Sequence, residues 1–301
     1  MELRSFEDLV SKVKNSSSIR KVAVAAAHDE HTLEAILKAR SDNLIDPVLI
    51  GDKIGIMTML NDMKVHFDKN AIIHTHSDSE SASKAVELIN NNKADFIMKG
   101  KLQTSDLLKE VVNTEKGLRT DNVMSHVAIL EIPSYHKLIA VTDGGMVMYP
   151  TLQEKKQIIE NAVDVFLSLG YLNPKVAVLA AVESVNQKMP ETVDADLLTK
   201  MCTSGEIESC IICGPISYDL TMNKESAIIK GYSSPVVGDA DILMVPNITT
   251  GNILSKALIE SAKGKMAGMI VGARVPIVLT SRGATTEEKY LSLILAALAV
   301  N

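Results

Sequence analysis

Short apolar runs alternate with longer amphipathic stretches along almost the whole chain, and this alternation constrains the fold more than any single residue does. Candidate strands lie at 21–26, 47–50, 71–73, 95–98, 127–132 and 138–142, then at 175–180, 210–213, 241–245, 268–271 and 276–280. Helical periodicity fills most of the gaps, at 29–40, 78–91, 152–169 and 252–263. That order implies βαβ units and a mainly parallel sheet, an α/β fold. The stretch from Glu131 to Lys137, with Pro133 inside it, reads as a hairpin connection, so one antiparallel pair is expected. Aromatic residues make up 3% of the chain and Trp is absent, so aliphatic side chains must fill the core, as suits strands buried on both faces.

With 301 residues the chain has room for two domains. Two glycines and a proline at Asp143-Gly-Gly-Met-Val-Met-Tyr-Pro150 precede a long helix, after which Lys175 starts a fresh β/α series. The helix expected at 286–299 is apolar on nearly every face after its first turn and must be covered on several sides. The expected division is therefore 1–148 plus 272–301 for one α/β/α domain, with 149–271 inserted as the second. In such folds ligands bind outside the C-terminal ends of the strands.

Several function classes drop out. Net charge is −6 with no basic block, which argues against a nucleic-acid binder. The N-terminus lacks a secretory apolar region, and the longest apolar stretch, 291–300, is too short to span a bilayer, so a cytoplasmic protein with no membrane association is expected. Cys210 and Cys213 have redox or zinc spacing but lie in an apolar run that reads as a buried strand, with no second cysteine pair. His28, His31, His74 and His76 lack partners at fixed spacing, and no metal is expected. No G-x-G-x-x-G follows the first strand, and neither a Walker A loop nor a G-x-S-x-G elbow is present.

Four strand ends carry candidate chemistry. Near the C-terminus an apolar strand runs into Ser281-Arg282-Gly283 and then a helix start. Ser281 and Arg282 are delivered to the strand end, Gly283 permits a tight turn, and the first helical N–H groups point at whatever anion sits there. Glu288 fits two roles: it closes a capping box on Thr285, or it is a general base beside the anion. Lys99, Gly100 and Thr104 form a second cationic strand-end loop opening a helix, either an anion contact or a loop capped by Thr104 or Ser105. Arg119, Ser125 and Asp143 belong to a third polar segment, in which Arg119 completes a phosphate clamp or is simply solvated. In the fourth, Gly251 and Asn252 follow the strand that stops at Pro246, and Asn252 either caps a helix or meets a ligand.

Together these segments resemble the phosphate acetyl/butyryl transferase family. The matches are Thr280-Ser281-Arg282-Gly283, Gly214-Pro-Ile-Ser-Tyr-Asp219, Asp239-Ala-Asp241-Ile-Leu-Met, Pro246-Asn247 and Gly251-Asn252-Ile, and they span essentially the whole chain. Val278-Leu279-Thr280 stand where the acetyl branch usually carries Asn-Asp-Leu, a departure that fits a different acyl preference. The resemblance implies two α/β/α lobes of the isocitrate-dehydrogenase-like kind with an active site in the cleft between them. It implies reversible transfer of an acyl group, here butyryl, between coenzyme A and inorganic phosphate, with no tightly bound cofactor. It also implies direct transfer in a ternary complex and a homodimer or larger homo-oligomer. Ser281, Arg282 and Glu288 match the family's catalytic positions, Glu288 standing where the family pattern has Asp. The rival readings are a phosphate acetyltransferase of the same fold, a dehydrogenase on a related fold, and a non-catalytic acyl-CoA-sensing module.

Overall fold

A computed structural model describes residues 2–15, 19–281 and 283–300. In chain order its elements are α1 (Phe6–Lys14), β1 (Arg20–Ala25), α2 (Glu30–Ser41), β2 (Ile45–Gly51), α3 (Lys53–Asp62), β3 (Ile72–His74), α4 (Asp78–Asn90), β4 (Phe96–Lys99), α5 (Thr104–Val111), β5 (Ser125–Glu131), β6 (Ile139–Thr142) and α6 (Leu152–Ser168). There follow β7 (Lys175–Leu179), α7 (Pro190–Thr203), β8 (Ile211–Ile216), α8 (Tyr218–Met222), α9 (Lys224–Lys230), β9 (Ile242–Met244), α10 (Ile248–Glu260), β10 (Lys265–Val271), β11 (Ile277–Val278) and α11 (Thr286–Ala299). Every strand expected from the apolar runs is present.

The chain divides into two compact units, Met1–Phe6 with Val123–Met266, and Glu7–Asn122 with Ala267–Asn301. This division differs from the expected one at 148/149 and 271/272. The reason lies in pairing: β6 runs parallel to β9, with Ala140 opposite Ile242 and Thr142 opposite Met244, so the β5–β6 hairpin joins the later strand series.

The unit of Glu7–Asn122 with Ala267–Asn301 orders its strands β3-β2-β1-β4-β11-β10, all parallel except β10, which turns back on β11 with Ile270 opposite Ile277. The tight β10–β11 connection leaves no room for a crossover helix, so this pair must be antiparallel. It is a second antiparallel pair where the sequence suggested one. Helix α11 packs on β11, β4 and α2, and its residues 289–297 are all buried, which explains its nearly all-round apolar character.

The other unit orders its strands β5-β6-β9-β7-β8, parallel except for the β5–β6 hairpin. Its core gathers Leu130, Ile139, Val141, Ala177, Leu179, Ile216, Leu243 and Val245, among others. Asp239 and Asp241, quoted above for the family resemblance, stand just before β9, at its N-terminal end. There the fully buried Lys137 lies 2.9 Å from Asp239 and 2.7 Å from Asp241, and Lys175 also bonds Asp239. These carboxylates brace the lower edge of the sheet, and ligands are expected at the opposite end.

Candidate active site

In the unit formed by Glu7–Asn122 with Ala267–Asn301, the parallel strands β1, β4 and β11 deliver their C-terminal ends to one edge. β1 leads into Ala26–Asp29, β4 into Lys99–Leu102, and β11 into Thr280 and Ser281. Lys99 is buried, and its ammonium donates to the carbonyls of Gly100 (3.1 Å) and Leu102 (3.0 Å), which folds the loop back on itself. The Gly100 N–H donates to Ala25 O, and a Cβ on Gly100 would sit 2.2 Å from Ala26 O. Glycine is therefore required here by the approach of two backbones. Thr104 is exposed and is the first residue of α5, whose N-cap is Gln103, so neither Thr104 nor Ser105 caps the helix.

Ser281 is exposed, and its Oγ accepts the Gly283 N–H at 3.2 Å while its carbonyl accepts Ala284 N–H. Among the described residues a Cβ at Gly283 would meet only Ser281 Oγ, at 3.9 Å. Arg282 lies outside the described residues. One turn on, Thr285 caps α11: its Oγ1 accepts the Glu288 N–H at 3.1 Å. The reciprocal bond of a capping box, present at Thr151 and Glu154 on α6, is not made here among the described residues. The Glu288 carboxyl is half-buried, and that burial pushes its pKa up against the pull of neighbouring Lys289. A carboxyl raised in this way is closer to the pKa a general base needs near neutrality.

Lys289 escaped sequence reasoning. It is 5% exposed, donates to Thr280 Oγ1 at 3.2 Å, and lies 3.9 Å from Asp29, the residue that caps α2. Its one signal in the sequence was a lone cation just inside an otherwise apolar helix.

Arg119 is exposed. Its neighbours are pinned: Leu118 O accepts Arg274 N–H at 2.9 Å, and Thr120 Oγ1 donates to Gly272 O at 2.6 Å. Residues 272–274 precede β11, so Arg119 is anchored at the opposite end of that strand from Ser281. The structure thus does not join Arg119 to the Ser281 turn through any contact among the described residues.

In the other unit, β6 ends at Asp143-Gly144-Gly145. The Asp143 carboxylate accepts three backbone N–H groups, from Gly145 (2.7 Å), Met146 (3.0 Å) and Val147 (3.0 Å), and so shapes the loop. Beside it, burial holds the His126 imidazole below its ordinary pKa, opposed by the Asp143 charge. Ser125 is buried, with its Oγ bonded to Asn161 Nδ2 at 2.9 Å. Helix α10 follows β9 and is capped by Asn247, whose Oδ1 accepts Thr250 N–H at 3.0 Å. Asn252 is accordingly not the cap. It sits in the second turn, exposed, with Nδ2 3.3 Å from Gly144 O. Gly251 packs backbone to backbone against this loop, since a Cβ there would lie 2.7 Å from Asp143 O. Asp143, Gly144, Gly251 and Asn252 are thus brought together at the C-terminal ends of β6 and β9.

Among the described residues no group of three or more His, Cys, Asp and Glu side chains could hold a metal ion. Among the described residues no helix is long and apolar enough to cross a membrane.

Comparison with known proteins gives these strand-end loops a context. The family model described as phosphate acetyl/butaryl transferase matches residues 75–297. The chain is 42% identical to the phosphate butyryltransferase of Clostridium acetobutylicum over 98% of both chains. It is also 42% identical to the phosphate acetyltransferase of Thermotoga maritima, over 92% of this chain and 94% of that one. Among solved structures, a branched-chain phosphotransacylase from Enterococcus faecalis superposes with a TM-score of 0.82 at 35% identity, covering 94% of this chain and 99% of that one.

Proposed function

The chain belongs to the phosphate acetyl/butyryl transferase family and transfers acyl groups reversibly between coenzyme A and inorganic phosphate, and we propose that butyryl-CoA is its preferred thioester. Coenzyme A enters as the thioester substrate. In the acyl-phosphate-forming direction a phosphate oxygen attacks the thioester carbonyl, the C–S bond breaks, and the coenzyme A thiolate leaves. In reverse the thiolate attacks the acyl phosphate and inorganic phosphate departs.

The transfer is direct, in a ternary complex, so Ser281 is not acylated. Arg282 takes the phosphoryl oxygens and the developing oxyanion, with the first N–H groups of α11 assisting. Ser281 orients the sulfur, and Glu288 accepts the thiol proton. With ordinary values, thiol about 8.5 and Glu about 4.3, that proton transfer is uphill by roughly 5–6 kcal/mol. The observation that carries this reading is the half-buried Glu288 carboxyl on the first turn of α11, whose raised pKa narrows the gap. Lys99 shapes the strand-end loop through its carbonyl bonds. Arg119, exposed and remote from Ser281 along β11, is assigned to the distal phosphates of coenzyme A.

A phosphate-dependent assay of thiol release across acetyl-, butyryl- and longer acyl-CoAs tests the reading. The highest kcat/KM is expected with butyryl-CoA. A second reading, phosphate acetyltransferase, is supported by the Thermotoga maritima relative at the same identity. It takes over if acetyl-CoA leads the series. No phosphate-dependent release with any thioester removes both and leaves acyl-CoA sensing. We place the enzyme in the cytoplasm as a homo-oligomer. The exposed Ile228 and Ile229 of α9 support assembly, and sedimentation at equilibrium checks it.

A further inference from the structure

Lys289 is a buried ammonium with few partners. Of its three donors, Thr280 Oγ1 at 3.2 Å receives one, and it is the one hydrogen-bond acceptor the ammonium reaches among the described residues. Asp29 Oδ2, at 3.9 Å, is an ion-pair neighbour already occupied by Thr32, whose N–H it accepts at 2.9 Å. A cation 5% exposed and so thinly satisfied is expensive to keep for packing alone, because an apolar residue of the same volume serves a core better. What distinguishes the position is its neighbours. Thr280 leads directly into Ser281, and Lys289 directly follows Glu288. Asp29 belongs to the loop that leaves β1, beside the loop that leaves β4.

Resting on the acyl-transfer reading above, we propose that Lys289 is a positioning residue for that reaction. It ties Thr280, and through it the Ser281 turn, to the β1–α2 loop, and it places a positive charge beside the Glu288 carboxyl. Burial lowers the pKa of Lys289 itself while Asp29 and Glu288 sustain its charge, and Lys289 in turn opposes the rise at Glu288. The other charged or titratable groups on the elements packed here are Glu30, His31, Glu34, Lys38, Arg40 and Asp42 on and after α2, Lys99 at the end of β4, and Glu287 and Tyr290 on α11. None of these is deleted with Lys289.

The test compares wild type, Lys289→Met, Lys289→Arg and Thr280→Val by kcat, KM and thermal melting across a pH series. Lys289→Met is expected to lower kcat by about ten- to hundredfold with both KM values within about threefold. Removing the cation lets the Glu288 pKa climb further, so the rising limb of the rate profile moves to higher pH. Lys289→Arg keeps the charge and restores the limb. Thr280→Val cuts the tie but keeps the charge, so kcat falls with the limb in place. A folded Lys289→Met protein with wild-type kcat and limb overturns the proposal. So does a kcat loss in both Met and Arg variants with the limb unmoved, which is the signature of packing alone. If Lys289→Met does not fold, Thr280→Val decides, and unchanged kcat there overturns the tie. An inactive wild type removes the acyl-transfer reading and this inference together, whereas an active wild type matched by Lys289→Met removes this inference alone.

Discussion

The Thr285 hydroxyl accepts the Glu288 backbone N–H at 3.1 Å, while the Glu288 carboxyl gives nothing back to the Thr285 backbone among the described residues. Capping of α11 and the chemistry of the carboxyl are thus carried by different atoms, and mutation can part them. Thr285→Ala is expected to cost about 0.5–2 kcal/mol of stability. Glu288→Gln, which keeps the N–H, is expected to melt near wild type and to lose about 10²–10⁴-fold in turnover. Thermal melts and steady-state rates on the two variants check this. Equal kinetics for Glu288→Gln and wild type would leave the residue no role in proton transfer.

The same carboxyl predicts a pH dependence of stability. Burial raises its folded pKa above the unfolded value of 4.5, so the ionised form is the one the fold disfavours. Its contribution is fully present below the unfolded pKa and is lost as pH rises through the folded one. Glu288→Gln lacks that loss. The stability of the variant relative to wild type should therefore increase from acid to neutral pH, as followed by urea titrations at each pH. A flat difference would mean the carboxyl is solvated.

Gly251 and Gly144 meet backbone to backbone, and a Cβ on Gly251 would stand 2.8 Å from Gly144 Cα and 2.9 Å from Val245 Cγ2. Neither neighbour is the far end of a flexible side chain, so Gly251→Ala must push the Asp143 loop and α10 apart. A loss of about 1–3 kcal/mol is expected, with activity falling as the loop shifts. Exposed Asn252→Ala, one residue on, should melt like wild type. If Gly251→Ala is neutral in both readouts, the two elements are not in fixed contact.

The sheet was legible because periodicity reports burial, and the eleven strands sit where the apolar runs place them. Alternation does not report which strands pair, so neither the parallel pairing of β6 with β9 nor the β10–β11 reversal follows from it. Helices with weak apolar stripes, such as α3 and α7, left no clear periodic signal. The placing of Ser281, Asp143 and Gly251 in the loops after strands and of Glu288 on a first helical turn was legible because strand ends and glycines announce loops. Sequence could not show that Asn247 rather than Asn252 caps α10, since both precede helical residues. Lys289 was invisible because a lysine near a helix start is ordinarily solvated, and only the packed structure shows it buried.

Arg119 is held by the bonds of Leu118 and Thr120 to residues 274 and 272, not by its own side chain. Arg119→Ala should therefore leave the melting temperature unchanged. With the side chain assigned to the distal phosphates of coenzyme A, KM for acyl-CoA is expected to rise about tenfold, with kcat and the KM for phosphate within about twofold. The effect should weaken as salt screens the contact. A selective rise in the KM for phosphate would instead place Arg119 on the reacting anion.

Lys137 supplies the last prediction, because it separates a matched motif from a functional one. Its ammonium is 1% exposed and pairs with Asp239 and Asp241 at the N-terminal end of β9. Lys137→Met leaves the buried Asp241 without its ion partner, while Asp239 keeps Lys175, and is expected to cost about 3–5 kcal/mol, with KM and kcat of the surviving folded enzyme near wild type. Burial works to raise the Asp239 pKa but is outweighed by hydrogen bonds from Lys175 and Lys137, so its folded value lies below 3.8. A depressed carboxyl stabilises the fold above its unfolded pKa and loses that contribution as pH falls through the folded value. The stability gap between wild type and Lys137→Met should therefore narrow on acidification below about pH 4, when Asp239 is protonated in the unfolded chain. Denaturant titrations at neutral and acid pH measure that gap. A large kinetic defect in a Lys137→Met enzyme that melts normally would mean that the Asp239-Ala-Asp241 segment serves the reaction after all.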